Sequence, residues 1–119
     1  MMPATTEAVL RRFNDVFLSH DPAALPELVA ADCVIENTVP APDGARYEGR
    51  AACIALWTEI ATTLGTFFEV ENVTVLGEQG IIRWRYHWGE GSSVRGINLM
   101  RVRDGLIVEA QGYVKGGGH

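Results

Sequence analysis

The chain has 119 residues, 47% hydrophobic and 21% charged, enough for one globular domain with its own core and too apolar for a disordered chain. Its formal net charge of −5 argues against nucleic acid as the main partner, because phosphate binding needs a basic face. No stretch approaches the ~18 consecutive apolar residues of a membrane span, and no basic segment leads into an apolar run at the start, so a cytoplasmic location is expected.

Val9, Phe13, Val16 and Phe17 recur at helical spacing and predict a first amphipathic helix starting near Thr5 or Thr6. Asp21-Pro22 marks a second start, with Asp as N-cap, Pro at the first helical position, and Leu25, Leu28 and Val29 as the buried stripe. From Cys33 to Val39 the composition turns strand-like, and residues 40–44 form a loop. A third helix is expected over residues 50–64, with Cys53, Trp57, Ile60 and Leu64 on one face and Gly65 as its stop. Residues 67–76, 81–88, 94–102 and 106–114 then read as four strands separated by glycine-rich turns. Asp104-Gly105 suits a tight hairpin; a three-residue turn with a bulge at Gly105 sets Asn98 and Gly112 on one face. Residues 1–115 are expected to form a single domain and 116–119 a flexible tail.

Helices followed by an antiparallel meander make an α+β pattern. A strongly curved sheet wrapped round the helices leaves a cavity at its open end, of the apolar kind with a few polar groups that takes small molecules. Residues 81–88 alternate sharply. One face carries Ile81, Arg83, Arg85 and His87, the other Ile82, Trp84, Tyr86 and Trp88. Pairing through a Glu90-Gly91 turn sets Arg83 opposite Asn98 and turns the basic face inward; a shift of one residue turns the aromatic face inward instead. On the first register His87 is the leading base or proton relay and Arg85 orients an oxyanion. On the second, both lie on solvent or a dimer contact. Glu36 should face away from its neighbour Asn37, exposed or paired with an arginine. Trp57 fits either core packing or the pocket wall. Cys33 and Cys53 have no metal-ligand spacing and read as small buried hydrophobes. Neither a phosphate-cradling loop, a nucleophile elbow nor a metal-ligand cluster is evident, so no cofactor is expected.

Asp21-Pro22, Val34-Ile-Glu36-Asn37, Tyr47-Glu-Gly49-Arg50 and the run Arg101-Val-Arg-Asp-Gly-Leu-Ile-Val-Glu109, in this order and spacing, resemble the NTF2-like superfamily and, within it, the SnoaL-like proteins. The resemblance spans nearly the whole chain and implies an NTF2-like cone, a mainly antiparallel curved sheet holding N-terminal helices, and a homodimer through the sheet face. SnoaL-type polyketide cyclases use a His and an Asp fourteen residues apart, where this chain has Asn98 and Gly112. Ketosteroid isomerases use a Tyr and two Asp, where it has Phe13, Asn37 and Asn98. Limonene-epoxide-hydrolase-like members use an Asp near Gly112, an Arg/Asp pair on the middle strand and an Asn near Asn37; here the Asn and the arginines are present and both aspartates are missing.

An amide cannot act as a general base, but it can donate a hydrogen bond to a carbonyl or a developing enolate. One reading is therefore a small cofactor-independent enzyme acting by isomerisation, cyclisation or a related proton transfer. Its substrate is an apolar, carbonyl-bearing molecule of polyketide, steroid or terpenoid type. Asn37 and Asn98 polarise the carbonyl, His87 or a water moves the proton, and Arg85 stabilises charge. Phe13, Trp57, Met100 and Gly112 line the ligand site. The alternative is a pocket that binds a small molecule without turnover, which the missing ionisable residues favour. In either reading Asn37 and Asn98 compete with a plainer role, satisfied by backbone partners; a purely structural module is the third possibility.

Overall fold

The computed structural model describes residues 4–116. Helix α1 (Thr6–Leu18) opens where the Thr5 side chain accepts a hydrogen bond from the Ala8 N–H at 3.1 Å, and it buries Val9, Leu10, Phe13, Val16 and Phe17 on one stripe. Asp21 caps the next start as expected, accepting from the Ala23 N–H at 2.9 Å. The result is shorter than a regular helix: a 3-10 turn over Pro22–Ala24, then one helical turn, α2 (Leu25–Leu28). Strand β1 (Val29–Glu36) follows with no loop, so Val29, expected on the helix, is the first strand residue. Asn37 lies just beyond the strand, its N–H donating to the Ala45 carbonyl at 2.9 Å across the 37–45 loop.

Strand β2 (Arg46–Glu48), unexpected from the sequence, is a three-residue edge strand antiparallel to β1, with Tyr47 packed against the core between two exposed charges. Helix α3 (Arg50–Thr62) ends before Leu64, which is 95% exposed rather than on the buried face. The hydroxyls of Thr62 and Thr63 bond back to the carbonyls of Thr58 and Glu59, and Thr63 is already extended. Four long strands follow: β3 (Thr66–Leu76), β4 (Gln79–Trp88), β5 (Ser92–Arg103) and β6 (Leu106–Val114).

The six strands form one open sheet in the order β2-β1-β6-β5-β4-β3, antiparallel except where β1 runs parallel to β6. The helices pack into its concave side, giving an α+β cone. Two local features set which residues face inward. A bulge at Glu71 in β3 switches the inward set from Phe68 and Val70 to Val73 and Val75. In the last hairpin Arg103 pairs with Leu106, so the turn has two residues; Asp104 (φ 53°) and Gly105 (φ 78°) are both left-handed, as a type I′ turn demands. The extra residue is Val108, not Gly105, and Asn98 still stands opposite Gly112. Of the expected tail, residues 117–119 lie outside the described residues.

Candidate ligand cavity

At the open end of the cone lies a cavity of about 580 Å³. Its floor is Phe13 and Phe17 from α1 and Leu56, Trp57 and Ile60 from α3. Its sheet wall is Phe68, Ile82, Trp84, Tyr86, Trp88, Val94, Asn98 and Gly112. Aromatic rings meet along it. Phe13 stands edge-on to Trp57 and Phe17, Phe17 to Phe68, and Phe68 packs against Trp84 and Tyr86.

The register between β4 and β5 decides this composition. Ile82 pairs with Asn98 and Trp84 with Gly96, because Trp88 pairs with Ser92 across a three-residue turn, Gly89-Glu90-Gly91. The two-residue turn that would set Arg83 opposite Asn98 does not form, and the one-residue difference exchanges the faces. The aromatic face is therefore inward. Arg85 and His87 stand on the outer face, Arg85 donating to the Ser93 hydroxyl at 3.1 Å. His87 bonds to Glu69, with its ring stacked on Phe67 at 4.3 Å. Neither lines the cavity. Met100 is also outside the cavity wall: it faces the same way as Asn98 but lies two residues deeper, 1% exposed, where Leu10 of α1 covers the neighbouring Gly80. Phe13, Trp57, Asn37, Asn98 and Gly112 do line it.

The polar lining is mostly neutral. The Asn98 Oδ1 accepts a hydrogen bond from the Trp84 indole Nε1–H at 3.1 Å. The Asn37 Oδ1 accepts from the Thr38 N–H at 2.8 Å. Asn14, one helical turn from both Leu10 and Phe17, is 9% exposed and lines the cavity; its amide makes no hydrogen bond among the described residues. Glu36 reaches the cavity edge, but its carboxylate is held by Arg46 at 3.3 Å and the Gln111 amide at 3.2 Å, in keeping with the arginine partner expected for it. Tyr86 is the other ionisable lining residue. Gly112 makes room in the wall: a Cβ there would lie 2.9 Å from the Thr38 methyl and 3.4 Å from the Asn98 oxygen.

Sequence reasoning passed over Asn14 and the partnership of Trp84 with Asn98. Asn14 had a visible signal, an amide on an otherwise apolar stripe at i, i+4 from Leu10. The Trp84 bond had none, because it follows from the register. Behind the cavity, Cys33 and Cys53 are fully buried side by side between β1 and α3, with Cys53 Sγ 3.4 Å from the Cys33 carbonyl. Burial pushes the Cys33 thiol far above its ordinary value of 9.0, the neighbouring Cys53 adding to the shift, and burial also raises Cys53.

A helix-filled cone with an open, mainly apolar cavity defines the NTF2-like class of protein. The chain belongs to the SnoaL-like domain family, whose pattern matches residues 10–110. It is similar to an NTF2-like protein of unknown function from Mesorhizobium loti, at 66% identity over 93% of this chain and 91% of that one, with a TM-score of 0.91. A steroid delta-isomerase from Pseudomonas aeruginosa shares the fold at 20% identity, over 98% of this chain and 83% of that one, with a TM-score of 0.81. So does a candidate polyketide cyclase from Sinorhizobium meliloti, at 24% identity, 88% and 93% coverage and a TM-score of 0.74. No curated protein gives a significant match. Among the described residues, no helix is long and apolar enough to cross a membrane.

Proposed function

We propose that this protein takes up a small apolar molecule bearing a carbonyl or similar oxygen, of polyketide, steroid or terpenoid type, and holds its polar end by neutral amides. One observation carries the reading: an aromatic-walled cavity whose polar lining includes three amides, Asn14, Asn37 and Asn98, beside Thr38, Tyr86 and the edge residue Glu36, while His87 and Arg85 stand outside it. A general base must accept a proton near working pH, which an amide does not do. Binding is therefore favoured over proton transfer through His87.

All three tryptophans of the chain, Trp57, Trp84 and Trp88, line the cavity. Their fluorescence should be quenched saturably by a flat apolar ketone such as fluorenone, and Asn98→Ala should weaken that binding by about tenfold. Quenching that grows linearly without saturation would count against a defined site.

Asn98 favours a second reading. Its amide is fixed by Trp84 before any ligand arrives, as suits a donor stabilising a developing enolate, with water moving the proton. Incubating a bound ketone in heavy water separates the two readings. Deuterium at the carbon beside the carbonyl, above the protein-free rate, supports turnover; its absence leaves a binder.

For the outer sheet face we propose self-association as a homodimer. Phe67 and Tyr113 are half exposed there, with Leu99 and Ile81 between arginines.

A further inference from the structure

We infer that Trp84 fixes the polarity of the cavity by holding Asn98 as a hydrogen-bond donor, so that the site selects molecules presenting an acceptor there over donors of the same shape. The inference rests on the cavity being a ligand site.

An asparagine amide has an acceptor oxygen at one end and a two-proton donor at the other, and turning it over exchanges them. An indole N–H only donates. Trp84 Nε1 stands 3.1 Å from one end of the Asn98 amide, so that end must be the oxygen. The reverse orientation would set two donors against each other.

Trp84 has little room to turn away. It is 7% exposed, stands edge-on to Phe68 at 5.5 Å, and lies across Gly96, its partner on β5. A Cβ on Gly96 would come within 2.5 Å of an indole ring carbon.

Trp84 engages one lone pair of the Asn98 oxygen, which lies against Gly112, and the wholly unbonded end of the amide is Nδ2. That nitrogen makes no hydrogen bond among the described residues, yet none of their buried side-chain nitrogens or oxygens lacks a partner. Nδ2 is therefore open, on a residue that lines the cavity. Asn37 repeats the pattern, since the Thr38 N–H occupies its oxygen. Asn14 has neither end engaged and adapts to either polarity. Two of the three amides thus offer donors, and only that of Asn98 is set by a side chain that mutation can change.

Three tricyclic probes of one outline test this on the full chain by equilibrium dialysis: fluorenone with a carbonyl, carbazole with an N–H at the matching position, and fluorene with a methylene. The wild type should bind fluorenone at least about tenfold more tightly than carbazole, because a carbazole N–H facing Nδ2 leaves donors unpaired. Trp84→Phe keeps a ring and removes the N–H, so the amide is free to turn. The fluorenone-to-carbazole ratio should fall to about threefold or less, whatever happens to fluorene.

A merely structural Trp84 would weaken all three probes together; an unchanged ratio in Trp84→Phe overturns the inference. Asn98→Asp gives a second arm should Trp84→Phe not fold. It still accepts from Trp84 and offers only acceptors, so the preference for fluorenone should disappear at neutral pH, and its persistence also overturns the inference. Equal binding of fluorenone and carbazole by the wild type sinks the inference alone. No binding of any probe by the folded wild type sinks the ligand-site reading and the inference with it.

Discussion

Asn14 occupies the middle of a helix, on its mostly apolar stripe, where Asn is a poorer helix former than Leu; its amide makes no hydrogen bond among the described residues and opens onto the cavity instead. A position kept for the fold alone would be apolar. Asn14→Leu should raise stability by about 1 kcal/mol, read as a melting temperature a few degrees higher. It should also weaken fluorenone binding severalfold. A variant both less stable and fully competent to bind would show that the amide serves the fold. Gly96 is the converse case, a residue chosen for the space it leaves. A Cβ would sit 2.4 Å from the Tyr113 carbonyl and 2.5 Å from Trp84, so Gly96→Ala should cost about 1–3 kcal/mol in chemical denaturation. At this scale Asn98, Asn37 and Gly112 were legible in the sequence, because polar or side-chain-free positions on apolar strands stand out. Met100 shows the limit: alternation gave its face correctly, but its depth along β5 depends on where α1 lies.

Among the elements, α1, α3 and the four long strands follow from periodicity and glycine punctuation, and their observed bounds differ from the expected ones by a few residues. The register of β4 did not follow. Turns of two and of three residues both fit Gly89-Glu90-Gly91, and the choice decides whether arginines or aromatics line the cavity. Strand β2 escaped because Arg46-Tyr47-Glu48, with only Tyr47 turned to the core, is too short for alternation to stand out. The contact between β1 and α3 carries its own test, the buried thiols of Cys33 and Cys53. Both should resist a neutral-pH thiol reagent in the native protein and react once it is unfolded. Their raised folded values also fix a sign. The contribution to stability is whole below the ordinary value of 9.0 and declines as pH rises above it, because the unfolded chain ionises first. Replacing both with Ala should flatten the alkaline side of a plot of melting temperature against pH. An unchanged slope would mean other groups set it.

For the molecule as a whole, the family and the cone were readable from the order of weak motifs, since each fits only one sequence of elements. What the cavity does was less readable, because the charged residues that suggested chemistry all belong to the outer surface. His87 bonds to Glu69 there, and Arg95 pairs with Glu71 at 3.1 Å. That face should drive self-association: sedimentation should give twice the chain mass for the wild type and a smaller species for Leu99→Arg/Tyr113→Asp. A monomeric wild type would contradict the proposed dimer.

The central claim, that neutral amides in an aromatic cavity hold the ligand, is tested most directly by one comparison. The melting temperatures of the wild type, Asn98→Ala and His87→Ala are measured with and without fluorenone at a fixed concentration. Ligand at a hundredfold excess over Kd adds about 2.7 kcal/mol to a folded state that alone binds it. Wild type and His87→Ala should rise equally, and Asn98→Ala should rise markedly less. A shift lost in His87→Ala and retained in Asn98→Ala would contradict the account.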